Sequence, residues 1–321
     1  MIKVQNLVKA FGPKVAVNNV TFAVGRGEVL GFLGPNGAGK STTMRMVTGF
    51  IPPSSGGIQV GGYDMLEESI EAKQMIGYLP ENAPLYADMT VWGFLNFAAE
   101  LRGFRGLQRK QAVERVIEMC FLESVIHQSV DTLSKGYRHR TCFAQAVIHD
   151  PDILIMDEPT DGLDPNQKHE VREIIRRMGS KKAIIFSTHI LEEVEAVCTR
   201  AIIIDRGQIV ANGGPAELKR QSAIAGSVTV RISQVTGAEV KTKLESLSGA
   251  RKTTILEERP EGLTARVFPA EKTVDGKLAR QVGEAIAQAG WRLEELHTEE
   301  GRLDEVFRSI TLSDTNREIR Q

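Results

Sequence analysis

An α/β fold around a mainly parallel sheet is predicted by three observations. Short apolar runs alternate with longer amphipathic segments up to about Leu218. Four of these runs, Val29–Leu33, Ile153–Met156, Ala183–Phe186 and Ala201–Ile204, lack any charged residue. That is the pattern of strands buried on both faces, as in a parallel sheet covered by helices. A glycine-rich stretch, "GPNGAGKST", follows the first run and leads into a helical pattern, "TTMRMVTGF".

Composition narrows the class further. A chain of 321 residues fits one large or two modest domains, and 41% hydrophobic with 25% charged residues is ordinary for globular protein. A formal net charge of −1 gives no global basic field, and no nucleic-acid partner is expected. Cys120, Cys142 and Cys198 are scattered, without metal-type spacing or a disulfide framework, which fits a reducing compartment. The start, "MIKVQNLVKAF", lacks the apolar core of a signal peptide. No apolar run approaches the about 18 residues that suggest a spanning helix. The expected location is cytoplasmic, against the inner face of a membrane only through a partner.

The remaining elements follow in order. Thr90–Ile126 has no strand-like run; "VWGFLNFAAELRG" and "RKQAVERVIEMCFLE" predict amphipathic helices. Gln167–Met178 and Leu191–Val197 carry helical periodicity. "RQSAIAGS" reads as a linker. Beyond it come a strand ("SVTVRIS"), a helix ("GAEVKTKLESLS") and a hairpin ("TTILEE" and "LTARVFP" across "RPEG"). A second helix ("VDGKLARQVGEAIAQAG"), a last strand ("WRLEELHT") and a short helix ("RLDEVFRSIT") complete the set. The order β-α-β-β-α-β predicts a ferredoxin-like module. The expected organisation is a first domain over 1–220 with a helical subdomain near 88–148. An accessory domain over 226–312 and a polar tail over 313–321 follow.

The glycine stretch supplies chemistry. Gly34, four residues, then Gly39, Lys40 and Ser41 make the G-x-x-x-x-G-K-[ST] pattern of a P-loop in its strand–loop–helix context. Glycines let backbone N–H groups wrap phosphate oxygens, and the helix N-terminus adds free donors. Gly34, Pro35, Asn36, Gly37, Ala38, Gly39, Lys40, Ser41 and Thr42 are the candidate nucleotide-binding residues. Lys40 is expected on the β- and γ-phosphates and Ser41 on Mg²⁺. "ILIMDEPT" places Asp157 and Glu158 at a strand end, where ligands bind in open α/β sheets. Asp157 is the second expected Mg²⁺ ligand, and Glu158 the general base that takes a proton from water.

With these stretches in order, the chain resembles the ATP-binding subunits of ABC transporters over about its first 220 residues. The resemblance implies a mainly parallel core sheet, an antiparallel β-subdomain and a helical subdomain, with ATP and Mg²⁺ as cofactors. "DGLDP" resembles the D-loop, which implies Asp164 at a dimer face. "FSTHILEEVE" resembles the switch region, which implies His189 as a catalytic residue on the γ-phosphate; on its own it is also a helix cap or core histidine. Phe11 lies where an aromatic residue of the family stacks on adenine, and it also reads as a core aromatic. "GYLPEN" puts Glu81 where most members carry Gln. An ionised Glu accepts hydrogen bonds and binds metal but does not donate. Glu81 is therefore either a further Mg²⁺ contact or a solvated loop acid.

"LSKGY" stands where the family signature is "LSGGQ": Leu133, Ser134 and Gly136 fit, while Lys135 and Tyr137 depart. Ser134 alone predicts a helix N-cap. The resemblance implies more, namely that Ser134, Lys135, Gly136 and Tyr137 face the ATP of a second subunit, a copy of this chain or a related one. It also implies an integral membrane permease as partner. "RLDEVFRSI" is similar to the C-terminal extension of type 2 exporter ATPases. "LSKGYRHR" and "IGYLPENAPLY" are most like the gliding-motility subgroup. The alternative is an ABC ATPase acting on a ribosome or other macromolecule; one cassette without a sustained heptad run argues against it.

Overall fold

The computed structural model describes residues 1–81, 85–259, 262–271 and 276–311. The chain divides into two compact units, Met1–Pro215 and Ala216–Gln321. The first unit opens with a hairpin of β1 (Ile2–Phe11) and β2 (Lys14–Val24). β3 (Val29–Leu33) then runs into the glycine loop and α1 (Lys40–Val47). β4 (Ser55–Val60), β5 (Tyr63–Asp64), α2 (Ser69–Gln74) and β6 (Ile76–Leu79) follow. The helical stretch comprises α3 (Val91–Leu101), α4 (Gly106–Met119) and α5 (Lys135–Val147). Thr90 caps α3, accepting from the Gly93 N–H at 3.1 Å. The unit closes with β7 (Ile153–Asp157), α6 (Pro165–Gly179), β8 (Ala183–Thr188), α7 (Leu191–Val197), β9 (Arg200–Asp205) and β10 (Gln208–Gly213).

Among the described residues, this unit holds two sheets. One is antiparallel, in the order β2-β1-β4-β5. The other runs β10-β9-β3-β8-β7-β6; every neighbouring pair is parallel except the edge pair β10–β9. Two cores explain why its inner strands β3, β7 and β8 carry long apolar runs. Leu30, Phe32, Ile153, Ile155 and Ile185 pack with α1 and the antiparallel sheet. Val29, Leu154, Met156, Ile184 and Phe186 pack with α3–α7 on the opposite face. Alternate side chains of one strand thus enter different cores, each stabilising the fold by about 1.5–3 kcal/mol when fully buried.

The second unit begins within α8 (Pro215–Lys219). It continues with β11 (Val228–Ser233), α9 (Gly237–Glu245), β12 (Ala250–Arg259), β13 (Gly262–Pro269), α10 (Lys277–Gln288), β14 (Arg292–Thr298) and α11 (Leu303–Thr311). Its sheet order is β12-β13-β11-β14, all antiparallel. Val228, Val230 and Ile232 of the inner strand β11 pack with Val240, Leu244, Val282 and Ile286 of α9 and α10. β-α-β-β-α-β connectivity with β11 and β13 in the centre is the ferredoxin-like arrangement. The Pro260–Glu261 part of the hairpin turn and the expected polar tail lie outside the described residues.

"RQSAIAGS" is not the linker its composition suggests. Ser222, Ile224, Ala225 and Ser227 are all buried, and the Ser222 hydroxyl donates to Glu305 of α11 at 2.5 Å. The division between the units falls after Pro215, ahead of the expected boundary at 220. Small residues here serve close packing. A Cβ on Gly301 would stand 2.2 Å from the Lys219 carbonyl and 3.0 Å from the Ala225 Cβ.

Candidate nucleotide site

The carboxyl ends of β3, β8 and β7 lie side by side. Leu33 pairs with Thr188, and Ser187 with Asp157. The three loops that leave these strands therefore start within a few ångströms of one another, since neighbouring strands lie about 4.8 Å apart. A cavity of about 640 Å³ opens above them, lined by residues that include Asn36, Gly37, Gly39, Lys40, Ser41 and Thr42.

The glycine loop needs its glycines for two reasons. Gly37 and Gly39 have φ of +80° and +106°, where other residues are strained. Gly34 and Gly39 also sit close to backbone: an added Cβ would come 2.4 Å from the Ile204 carbonyl and 2.6 Å from that of Ala16. Lys40 is 5% exposed. Its ammonium donates to the carbonyls of Gly34 at 2.8 Å and Pro35 at 3.3 Å, and lies 3.6 Å from Glu158 Oε1. The Ala38 N–H closes the loop onto the Pro35 carbonyl at 3.2 Å.

β7 delivers the acids. Asp157 is 1% exposed and accepts from the Ser41 hydroxyl at 3.1 Å and from the Ser187 hydroxyl. Burial, then the Asp157 charge, push the Tyr78 phenol on β6 up to about 12. Glu158 takes a left-handed conformation, φ +51°, and its N–H donates to the Ser187 hydroxyl at 3.0 Å. This turn sends Glu158 into the cavity rather than along the strand. Its Oε2 lies 2.9 Å from His189 Nδ1. His189, immediately after β8, lines the same cavity and is neither a helix cap nor a core histidine.

Phe11 is 51% exposed at the cavity mouth, so it is no core aromatic; the Lys9 ammonium sits 5.2 Å from its ring centroid. Glu81 lines this cavity and a second one of about 610 Å³ that Lys135, Arg138 and His139 also line. His139 is buried with neither ring nitrogen hydrogen-bonded. Burial first, then Lys135, hold it down at about 4.

Ser134 does cap α5, accepting from the Tyr137 N–H at 3.3 Å. Lys135 turns to the loop after β7 of its own chain: its ammonium is 3.2 Å from Asp161 Oδ2, and its stem crosses Gly162. Gly136 lies against the side chain of Gln167, where a Cβ would come within 2.4 Å. Asp164 caps α6 in a reciprocal capping box with Gln167. The Tyr137 hydroxyl is 3.3 Å from that of Ser124, and Arg140 pairs with Glu170 at 2.6 Å.

Sequence reasoning passed over four contributors. Lys14 and Asp161 line the cavity. Ser187 binds Asp157, and Glu193, 1% exposed, binds the hydroxyls of Thr160 and Thr188. Nothing in "LEEVE" distinguishes the buried acid from its exposed neighbours except its i, i+4 spacing to Val197.

A glycine loop at a helix start, an acid pair that meets its serine and a histidine beside them define a P-loop nucleoside triphosphatase. The family described as ABC transporter matches residues 17–161. The linearmycin resistance ATP-binding protein of Bacillus subtilis is 37% identical over 219 residues, 68% of this chain and 70% of that one. The Nod factor export ATP-binding protein I of Cupriavidus metallidurans is also 37% identical over 219 residues, 68% of this chain and 72% of that one. A solved ATP-binding subunit of an ABC transporter superposes with a TM-score of 0.64 at 29% identity, covering 69% of this chain and 92% of that one. The chain belongs to the ABC transporter family, as an ATP-binding and ATP-hydrolysing subunit.

Proposed function

We propose that this subunit closes head to tail with a second copy of itself, or a related ATPase subunit, around two ATP molecules. Closure drives a separate integral membrane permease in export. One observation carries the paired arrangement. Ser134, which caps the 13-residue α5, is not among the residues lining the cavity of Lys40 and Glu158, and the N-terminus of such a helix suits an anion. Beside its capping role, this reading gives that helix start, with Gly136 in its first turn, to another subunit's γ-phosphate.

Within each site, Lys40 and the loop amides hold the phosphates, and Phe11 stacks its exposed ring on the base. Ser41 and Asp157 are hard oxygen donors 3.1 Å apart with a single carboxylate between them. That set suits Mg²⁺, which keeps waters and takes phosphate oxygens, and Glu81 is a further candidate contact. Mg²⁺ supplies neutralisation of phosphate charge. Glu158 takes the proton of the attacking water, and His189, in contact with it, orients that carboxylate and meets the γ-phosphate. Asp164 faces the partner at the D-loop.

Export is favoured by the likeness to the Nod factor export ATP-binding protein, and the permease fits an exposed groove of the helical stretch. Leu85, Tyr86, Phe94, Phe97 and Leu101 line it, with Leu101 71% exposed. No helix among the described residues is long and apolar enough to cross a membrane. The subunit then works from the cytoplasmic side. The gliding-motility subgroup is the finer assignment, supported by "LSKGYRHR" and "IGYLPENAPLY".

Two measurements test this reading. Ser134→Arg is expected to bind ATP with unchanged affinity while turnover falls roughly 10²-fold. Sedimentation with ATP should then show no pairing; a pair that still forms and turns over would sink the shared-site assignment. Affinity purification from mildly solubilised membranes is expected to recover a polytopic protein. Recovery of ribosomes would replace the permease with the other class of partner.

A further inference from the structure

We infer that Glu193 is a positioning residue that sets the contact between Glu158 and His189. This rests on those two residues being the catalytic pair. Glu193 sits in the first turn of α7, 1% exposed, and is absent from the cavity lining. Its two carboxylate oxygens reach two different loops. Oε1 accepts from the hydroxyl of Thr160, two residues after Glu158. Oε2 accepts from the hydroxyl of Thr188 at 2.7 Å, immediately before His189. Thr188 is itself fixed, because its hydroxyl also accepts from the Ile190 N–H at 3.0 Å.

The loop after β7 and the loop after β8 are thus tied to one rigid group from behind. On the other side the same two loops present Glu158 Oε2 and His189 Nδ1, 2.9 Å apart. A buried carboxylate is expensive unless its lone pairs are met. Here two hydroxyls donate to it, and the Arg172 guanidinium, with Nη2 3.9 Å from Oε1, sits close enough to offset its charge. Thr160 and Thr188 are 2% and 1% exposed, so water does not take over if the carboxylate goes. An apolar residue at position 193 would fill the helix interface equally well. The acid is needed because it alone accepts from both hydroxyls at once.

Activity follows from this geometry, since misplacing a reacting group by an ångström costs up to about 10²-fold. The test uses the purified full chain. Glu193→Gln keeps the shape but puts an N–H₂ where one hydroxyl now donates. Thr188→Val removes one arm with little change of volume. Each is expected to lower kcat roughly tenfold with KM for ATP within about twofold of wild type. Combined with His189→Ala, each should add little, because the contact it serves is already gone. Wild-type kcat in both variants overturns the inference. So does a loss that adds in full to that of His189→Ala, or a fall in affinity, kcat and Tm together, which marks a merely structural role. If Glu193→Gln does not fold, Thr188→Val decides on the same criteria. Retained turnover in Glu158→Gln, run alongside, would instead overturn the catalytic pair itself.

Discussion

Glu158→Gln is expected to lower ATP turnover by roughly 10²–10⁴-fold, the usual contribution of a positioned general base, and to leave ATP binding in place. The amide keeps the size of the carboxylate and its place between Lys40 and His189, so the loop does not collapse. What disappears is the ability to take a proton from water. The charge near the phosphates also falls by one, which favours a bound trianionic or tetra-anionic tail. ATP should therefore hold two subunits together for longer in the variant than in wild type. Phosphate release measures the first effect and sedimentation in ATP the second. Turnover within tenfold of wild type would remove Glu158 from the chemistry.

Lys40→Ala acts at the other end, on binding. The ammonium is the buried cation of the cavity, held 2.8 Å from the Gly34 carbonyl and 3.6 Å from Glu158. A hydrogen bond to a charged group is worth about 1.5–3 kcal/mol, so ATP affinity should fall roughly 10- to 150-fold. ADP should lose less, because the γ-phosphate contact is absent. Loss of Lys40 also leaves the Glu158 carboxylate without its nearest cation. Turnover at saturating ATP is expected to fall as well. Titration with a fluorescent ATP analogue checks the affinity. An unchanged value would mean that the carbonyls of Gly34 and Pro35 keep the amine away from phosphate.

The parallel sheet was legible because β3, β7 and β8 each serve two cores and Ala201–Ile204 of β9 are all buried, so their apolar runs have no polar interruptions to blur them. β1 and β2 escaped strand-by-strand assignment for the opposite reason. Register shifts after Val4 and Leu7, and Asn6 at φ +49°, break their alternation, and only family likeness announced that sheet. The second unit was readable because half-buried strands alternate and its helices are amphipathic. "RQSAIAGS" misled because small residues look the same whether they are flexible or tightly packed. In the site, residues that form a contiguous motif were legible, and residues that touch the motif from behind were not. Glu193 and Ser187 matter through neighbours distant in sequence, Thr160 and Asp157, and one chain carries no record of such pairings.

The register of the central sheet has a last consequence, for how the protein tolerates change. The spacing between phosphate loop, acid pair and histidine is held by main-chain hydrogen bonds of β3, β8 and β7, which belong to every residue type except proline. Side chains inside those strands are free to drift among similar apolar shapes without altering the distances that chemistry reads. Mutational sensitivity is thereby concentrated in a few loop positions at one edge, and the bulk of the domain is left open to divergence. Sequences far apart in identity can keep one working geometry, and a cassette of this kind can acquire new outer surfaces, and so new partners, without rebuilding its engine.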